Sequence, residues 1–204
     1  IHGAHGYVLC QFLSAAINRR TDKWGGSLEN RARVVREILA GVRKRCRPGF
    51  QIGLRLSPER FGMQLGEIRA LAGELLADKA IDYLDMSLWD VMKLPEDEAF
   101  KSRNLLGWFA DLPRHGAPVG VAGKIKDAAT AQACLDGGAD FVLIGRGAIL
   151  HHDFPEQVRA DPDFRAASLP VTRDYLRREG LSPAFIDYMS AWKGFVSSED
   201  LATA

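Results

Sequence analysis

The 204-residue sequence predicts an α/β fold built on a parallel sheet. Three observations lead there. Between residues 27 and 145, short apolar runs alternate with segments of helical period, the spacing of βα units. The runs are nearly continuous in apolar residues, as strands are when helices cover them. The composition, 47% hydrophobic and 26% charged, is that of a globular chain with a sizeable core.

The elements follow in order. Ile1 reads as the last residue of a strand, and the polar run after it, "HGAHGY", as a loop. Ser27 is placed to N-cap a helix carrying Val34, Val35, Ile38, Leu39 and Val42 at helical spacing, which ends before Pro48-Gly49. "QIGLRLS" (51–57) is a strand with Ile52, Leu54 and Leu56 on one face, Gly53 and Arg55 on the other. An amphipathic helix over 64–79 and a strand over 81–87 come next. After a polar loop from Pro95 to Lys101, a weaker helix covers roughly 103–114. Then come a strand over 118–123, a helix over 127–138 and a strand over 140–145. Beyond Asp153 the chain is mixed helix and loop, punctuated by Pro155, Pro162, Pro170 and Pro183. The expected organisation is a single domain over 1–204, with βα units to residue 150 and a C-terminal tail over 151–204.

Charge and cysteine usage narrow the function classes. A net charge of +1 without a Lys/Arg stripe argues against a nucleic-acid partner. No apolar run is long enough to span a bilayer, so no membrane role is expected. Cys10, Cys46 and Cys134 are odd in number, far apart and outside any CxxC pair, which reads as reduced thiols in a cytoplasmic protein.

The candidate chemistry lies at the predicted strand ends. A zinc pair on a helix would place two histidines at i,i+4 with a Glu base and a third ligand. His2 and His5 have none of these, so no metal is expected. As neutral N–H donors they could grip a carbonyl oxygen and stabilise an enolate; the plainer reading is two surface histidines on a turn. Tyr7 carries a phenol, protonated at neutral pH and suited to giving up one proton, or simply packing at a rim. Arg55 faces inward near the end of its strand, a costly place that calls for a carboxylate partner or an anionic ligand. Gly123 and Gly145 end successive strands, and Arg146 follows the second. They fit a phosphate cradled by backbone N–H groups, against the alternative of two tight turns; Lys124 adds a charge there or is solvated. His151 and His152 read as a solvated loop, and Trp192 and Phe195 as packing aromatics.

The run "IHGAHGYVLCQFLSAAINRRTDKWGGSLENR" resembles the Old Yellow Enzyme family of FMN-dependent ene-reductases, the NADH:flavin oxidoreductases. The matching features are the His2/His5 pair, Tyr7 two residues later, and "GGSLENR" (25–31). "GLRLSP" (53–58), "VGVAGKI" (119–125), "FVLIGRGAI" (141–149) and "SPAFIDYMSAWKGF" (182–195) extend the resemblance along nearly the whole chain. Trp24, where Tyr is common, and Lys124 are departures. The resemblance implies a TIM (β/α)8 barrel, here its C-terminal part, from the end of strand four through strand eight plus the tail. It implies FMN as cofactor, NAD(P)H as co-substrate and an activated alkene such as an α,β-unsaturated carbonyl as small-molecule substrate. His2 and His5 would hold the substrate oxygen, Tyr7 would protonate the α-carbon, and Arg55 would face the flavin N1/O2 edge. Gly123, Lys124, Gly145 and Arg146 would surround the FMN phosphate. A complete barrel needs about 250 residues. A chain limited to these residues is therefore expected to be a homo-oligomer or poorly folded, and inactive. Two alternatives stand beside this reading. A flavin-free phosphate-binding barrel isomerase or aldolase leaves "HGAHGY" without a role; a non-catalytic fragment is the other.

Overall fold

The computed structural model describes residues 1–197. The residues of the expected tail numbered 198–204 lie outside that range. Five strands and nine helices run in the order β1 (His2–Gly3), α1 (Val8–Leu13), α2 (Leu28–Arg45), β2 (Gly53–Leu56), α3 (Leu65–Ala77), β3 (Tyr83–Ser87), α4 (Leu105–Ala110), β4 (Val119–Ala122), α5 (Ala128–Asp136), β5 (Phe141–Leu143), α6 (Arg146–Leu150), α7 (Phe154–Ala160), α8 (Arg173–Arg178) and α9 (Pro183–Ser190) among the described residues. A short 3₁₀ turn, Glu98–Phe100, precedes α4. The sheet is wholly parallel in the order β1-β2-β3-β4-β5, so each strand lies beside its predecessor. Ile1 extends β1, its carbonyl accepting from Arg55 N at 2.9 Å. Among the described residues no helix is long and apolar enough to cross a membrane.

The residues group into two compact units, one of 1–123 with 133–143, the other of 124–132 with 144 onward. In the first unit Leu54, Leu56, Leu84, Met86, Val119 and Val121 bury one face of the sheet completely. The apolar stripes of α3 (Ile68, Leu71, Leu75) and α4 (Leu105, Leu106, Phe109) are buried as well. On the other face glycines make room for rings. A Cβ on Gly53 would stand 1.9 Å from Tyr83 Cζ, and one on Gly120 would stand 2.1 Å from Phe141 Cε2. The two rings meet edge-on at 6.2 Å between centroids. Small and large residues thus alternate across neighbouring strands to fill one layer. The helix expected to 114 stops at Ala110, shortly before Pro113.

"GGSLENR" proves to be a clamp. Gly25 must be glycine because a Cβ would meet Arg20 O at 2.1 Å, and Gly26 takes φ +83°. Ser27 N-caps α2, its Oγ accepting from Asn30 N at 3.3 Å. On the buried side of α2, Val35 and Leu39 join Ala32, while Val34, Ile38 and Val42 are half-buried. Arg31, 3% exposed, donates from Nε to Gly26 O (2.9 Å), from Nη1 to Leu13 O, and from Nη2 to Glu67 Oε1 (2.6 Å). One guanidinium therefore joins the end of α1, the loop before α2 and the first turn of α3.

The second unit has its own core of Leu150, Val171, Leu176, Ile186, Met189, Phe195 and Val196. Thr172 and Ser182 cap α8 and α9, with Pro183 opening the latter. Phe195 packs inward as expected, whereas Trp192 is exposed and continues a row of rings with Phe185 and Tyr188. His151 is not a solvated loop residue: its Nε2 accepts from Ala167 N at 2.9 Å and its ring packs edge-on against Phe164. His152 is exposed and bonded to Glu179.

Candidate functional site

The candidate residues of the first unit gather at the C-terminal ends of β1, β2 and β3. Register places His2 beside Arg55, and Arg55 beside Asp85. After Gly3 and the fully buried Ala4, His5 (φ +61°) and Gly6 (φ +76°) turn the chain through two left-handed residues. A histidine in that region has to be held. His5 N donates to Ser57 Oγ at 3.1 Å, and His5 Nε2 shares a 2.5 Å hydrogen bond with Ser87 Oγ. The turn delivers Tyr7 to the N-cap of α1. The His2 ring then lies 5.1 Å from that of His5 and 5.4 Å from that of Tyr7, centroid to centroid. Tyr7 is 64% exposed and open to water.

Beneath these rings lies a charged layer. Arg55 Nε sits 3.1 Å from Asp85 Oδ2, and Arg55 Nη2 donates to Ser87 Oγ at 3.3 Å. The inward arginine therefore has a carboxylate on the neighbouring strand. The pair is close but poorly aligned: Nε makes no hydrogen bond by angle, and Asp85 Oδ1 is buried without a partner. Burial pushes the Asp85 carboxyl up to about 6, with Arg55 pulling it back. Burial also pushes both His2 and His5 below the usual histidine value, and the Arg55 charge lowers them further. At pH 7 both rings are therefore neutral N–H donors. Asp85 and Ser87 were not among the residues selected from the sequence. Their signal was the alternation in "YLDMS", which puts two polar side chains on the inward face of a strand.

Beyond the strand ends two loops are fastened together. Arg60 lies over the Trp89 ring at 3.9 Å from its centroid, and Lys93 pairs with Glu59. Gly123, at the end of β4, is needed for that packing: a Cβ there would stand 2.8 Å from Asp90 N and 2.9 Å from Trp89 C. In the second unit Lys124 (φ +53°) is exposed. Gly145 and Arg146, at the start of α6, are exposed too, and nothing lies within 4 Å of where a Gly145 Cβ would be. Protein atoms do not crowd that glycine; its backbone stands at φ −91°, ψ −99°, outside the helical and extended ranges that other residues favour. His151, Asp153 and Glu179 bring ligand atoms within 4.8 Å of one another. His151 Nε2 is engaged by Ala167 and Glu179 Oε2 by His152, which leaves that group poorly suited to a metal. A cavity of about 760 Å³ opens at the opposite strand ends among Gln51, Ile81, Tyr83, His115, Pro118 and Phe141, remote from His2 and His5.

Comparison with known proteins fits this geometry. Residues 1–162 match the model of the NADH:flavin oxidoreductase / NADH oxidase family. A probable NADH-dependent flavin oxidoreductase of Bacillus subtilis is 32% identical over 166 residues, covering 78% of this chain and 44% of the relative. A putative 12-oxophytodienoate reductase-like protein of Arabidopsis thaliana is 33% identical over 164 residues, covering 77% and 48%. A solved structure of morphinone reductase in complex with tetrahydroNAD superposes with a TM-score of 0.63 at 31% identity, covering 86% of this chain and 45% of that one. The chain spans just under half the length of these relatives. The fold class read from the sequence, the C-terminal part of a (β/α)8 barrel, is borne out, and so is the resemblance carried by the histidine pair, Tyr7 and "GGSLENR". The chain belongs to the NADH:flavin oxidoreductase / NADH oxidase family.

Proposed function

We propose that these residues are the C-terminal part of an FMN-dependent oxidoreductase that reduces activated alkenes, such as α,β-unsaturated carbonyls, at the expense of NAD(P)H. One observation carries the reading: the His2 imidazole lies 5.1 Å from that of His5 and 5.4 Å from the Tyr7 phenol at the strand ends, beside a guanidinium that helps keep both imidazoles neutral.

The residues present fit FMN. Arg55 spends its Nε/Nη2 edge on β3, which leaves the Nη1 end for an anionic ligand. Its fixed cation suits the N1/O2 edge, where reduction places negative charge. The backbone at Gly145 is open, and Arg146 adds a phosphate partner; Gly123 and Lys124 complete the phosphate-binding set by family likeness. Bound FMN supplies the hydride for the alkene β-carbon. The N–H groups of His2 and His5 bind the substrate oxygen and stabilise the charge that grows on it. Neutral rings serve here, because they donate without first requiring deprotonation. Ser57 holds the His5 backbone and Ser87 holds its ring. Tyr7 gives its hydroxyl proton to the α-carbon and recovers one from water, to which it is exposed.

The morphinone reductase complex with tetrahydroNAD supports a nicotinamide as electron source. Cys10, Cys46 and Cys134 are free thiols, which suits a cytoplasmic setting. The exposed ring row of Phe185, Tyr188 and Trp192 suits a homo-oligomer. The test is the visible spectrum of the purified full-length protein. Flavin absorption bands, bleached by NADH or NADPH under anaerobic conditions and restored by an enone, are expected. A colourless protein that takes up no FMN overturns the proposal.

A further inference from the structure

We propose that Asp85 is a positioning residue for the flavin-facing cation: it holds the Nε side of Arg55 against β3 and offsets its charge, setting how strongly the site favours reduced flavin. The inference rests on the reading that FMN lies against Arg55.

Four features of the pair support it. Asp85 is 6% exposed and stands in register with Arg55 on the adjacent strand, so the sheet keeps the two side by side. The contact is one-sided. Oδ2 lies 3.1 Å from Nε while Oδ1 is buried with no partner. A buried pair with an unpartnered oxygen is a poor stabiliser of the fold, so stability does not account for it. Ser87 takes Nη2, so Asp85 and Ser87 together orient the guanidinium plane and aim its Nη1 end away from β3. Finally, Ser87 Oγ also touches His5 Nε2, which links the pair to the substrate-binding ring.

The electrostatic consequence has a definite sign. Reduced flavin carries negative charge at N1, and a bare guanidinium beside it would favour the reduced form strongly. A carboxylate on the far side of that guanidinium cancels part of the field. The site then holds reduced flavin loosely enough to hand its electrons on. The buried, raised carboxyl is also only partly ionised near pH 6, so the offset is greatest above that pH.

The experiment is a spectroscopic redox titration of the flavin bound to the full-length protein at pH 8, against a dye of known potential. Asp85→Asn removes the charge and keeps the shape. It should shift the preference toward reduced flavin by about tenfold, which for two electrons is about +30 mV. Asp85→Glu keeps the charge and should stay within about threefold of the unsubstituted protein. A merely structural residue would lower flavin retention without moving the potential in this charge-dependent order. Where Asp85→Asn retains too little flavin, Asp85→Ser, also neutral, reads the same quantity. An unchanged potential in the neutral variants, or a shift in the opposite direction, overturns the inference. Absence of flavin from the unsubstituted protein overturns the functional reading instead.

Discussion

Replacing Arg31 by methionine removes a guanidinium that three separate segments share. Its Nη1 bond to Leu13 O satisfies a carbonyl at the end of α1, where no further turn can do so. Its Nε bond serves Gly26 O. The Leu13 carbonyl loses its donor in a buried setting, where a hydrogen bond to a charged group is worth about 1.5–3 kcal/mol, while the carbonyl of the exposed Gly26 regains water and adds less. Glu67 is 28% exposed and recovers much of its hydration, so its ion pair adds little to the loss. Methionine keeps most of the buried chain, which limits the cavity cost. The total comes to about 2–4 kcal/mol, most of it from the Leu13 carbonyl. Arg31→Lys offers one ammonium for three acceptors that surround a fork, and should cost about 2 kcal/mol. Urea unfolding of the full-length protein, followed by far-UV circular dichroism, measures both. A loss below about 1 kcal/mol for Arg31→Met refutes the clamp.

Other consequences are open to measurement. The ring protons of His2 and His5 should titrate with midpoints below 6.5, since burial and Arg55 both disfavour the cation. Their depressed values contribute stability that is present above pH 6.5 and lost as pH falls through the folded midpoints. A midpoint above 6.5 for either ring contradicts the neutral-donor account. Arg146→Ala should weaken FMN binding by about 1.5–3 kcal/mol, and undiminished flavin retention on dialysis removes Arg146 from the phosphate site. Gly53→Ala must displace the Tyr83 ring, from which its Cβ would be 1.9 Å away, at a cost of about 1–3 kcal/mol. Tyr83→Ala in the same chain should recover part of that loss; additive losses argue against the proposed layer.

Much of the fold was legible because the signals are local. Ser27 caps its helix, and the alternation in "QIGLRLS" and "YLDMS" gives each strand a buried face and an inward one. Element ends were less legible: the helix expected to 114 stops at Ala110, with Pro113 close behind. The histidine pair, Tyr7 and Arg55 were selected from the sequence, and the sheet register brings them together. Asp85 and Ser87 escaped notice because a single polar residue in a strand looks like an edge or a loop until a neighbouring strand supplies its partner. "GGSLENR" was read as a family mark. Its work, a buried arginine serving carbonyls 18 and 5 residues away in the chain, depends on tertiary contacts that no local pattern encodes.

The central claim is that Tyr7 delivers the proton to an alkene whose oxygen His2 and His5 hold. Anaerobic stopped-flow spectroscopy on the full-length protein and its Tyr7→Phe variant separates that step from flavin reduction. Reduction by the nicotinamide needs no proton donor on the alkene side, so its rate should be nearly unchanged in the variant. Reoxidation by an enone should slow by about two orders of magnitude or more, the usual contribution of a positioned general acid. Reoxidation of the Tyr7→Phe variant at the unsubstituted rate would contradict the account.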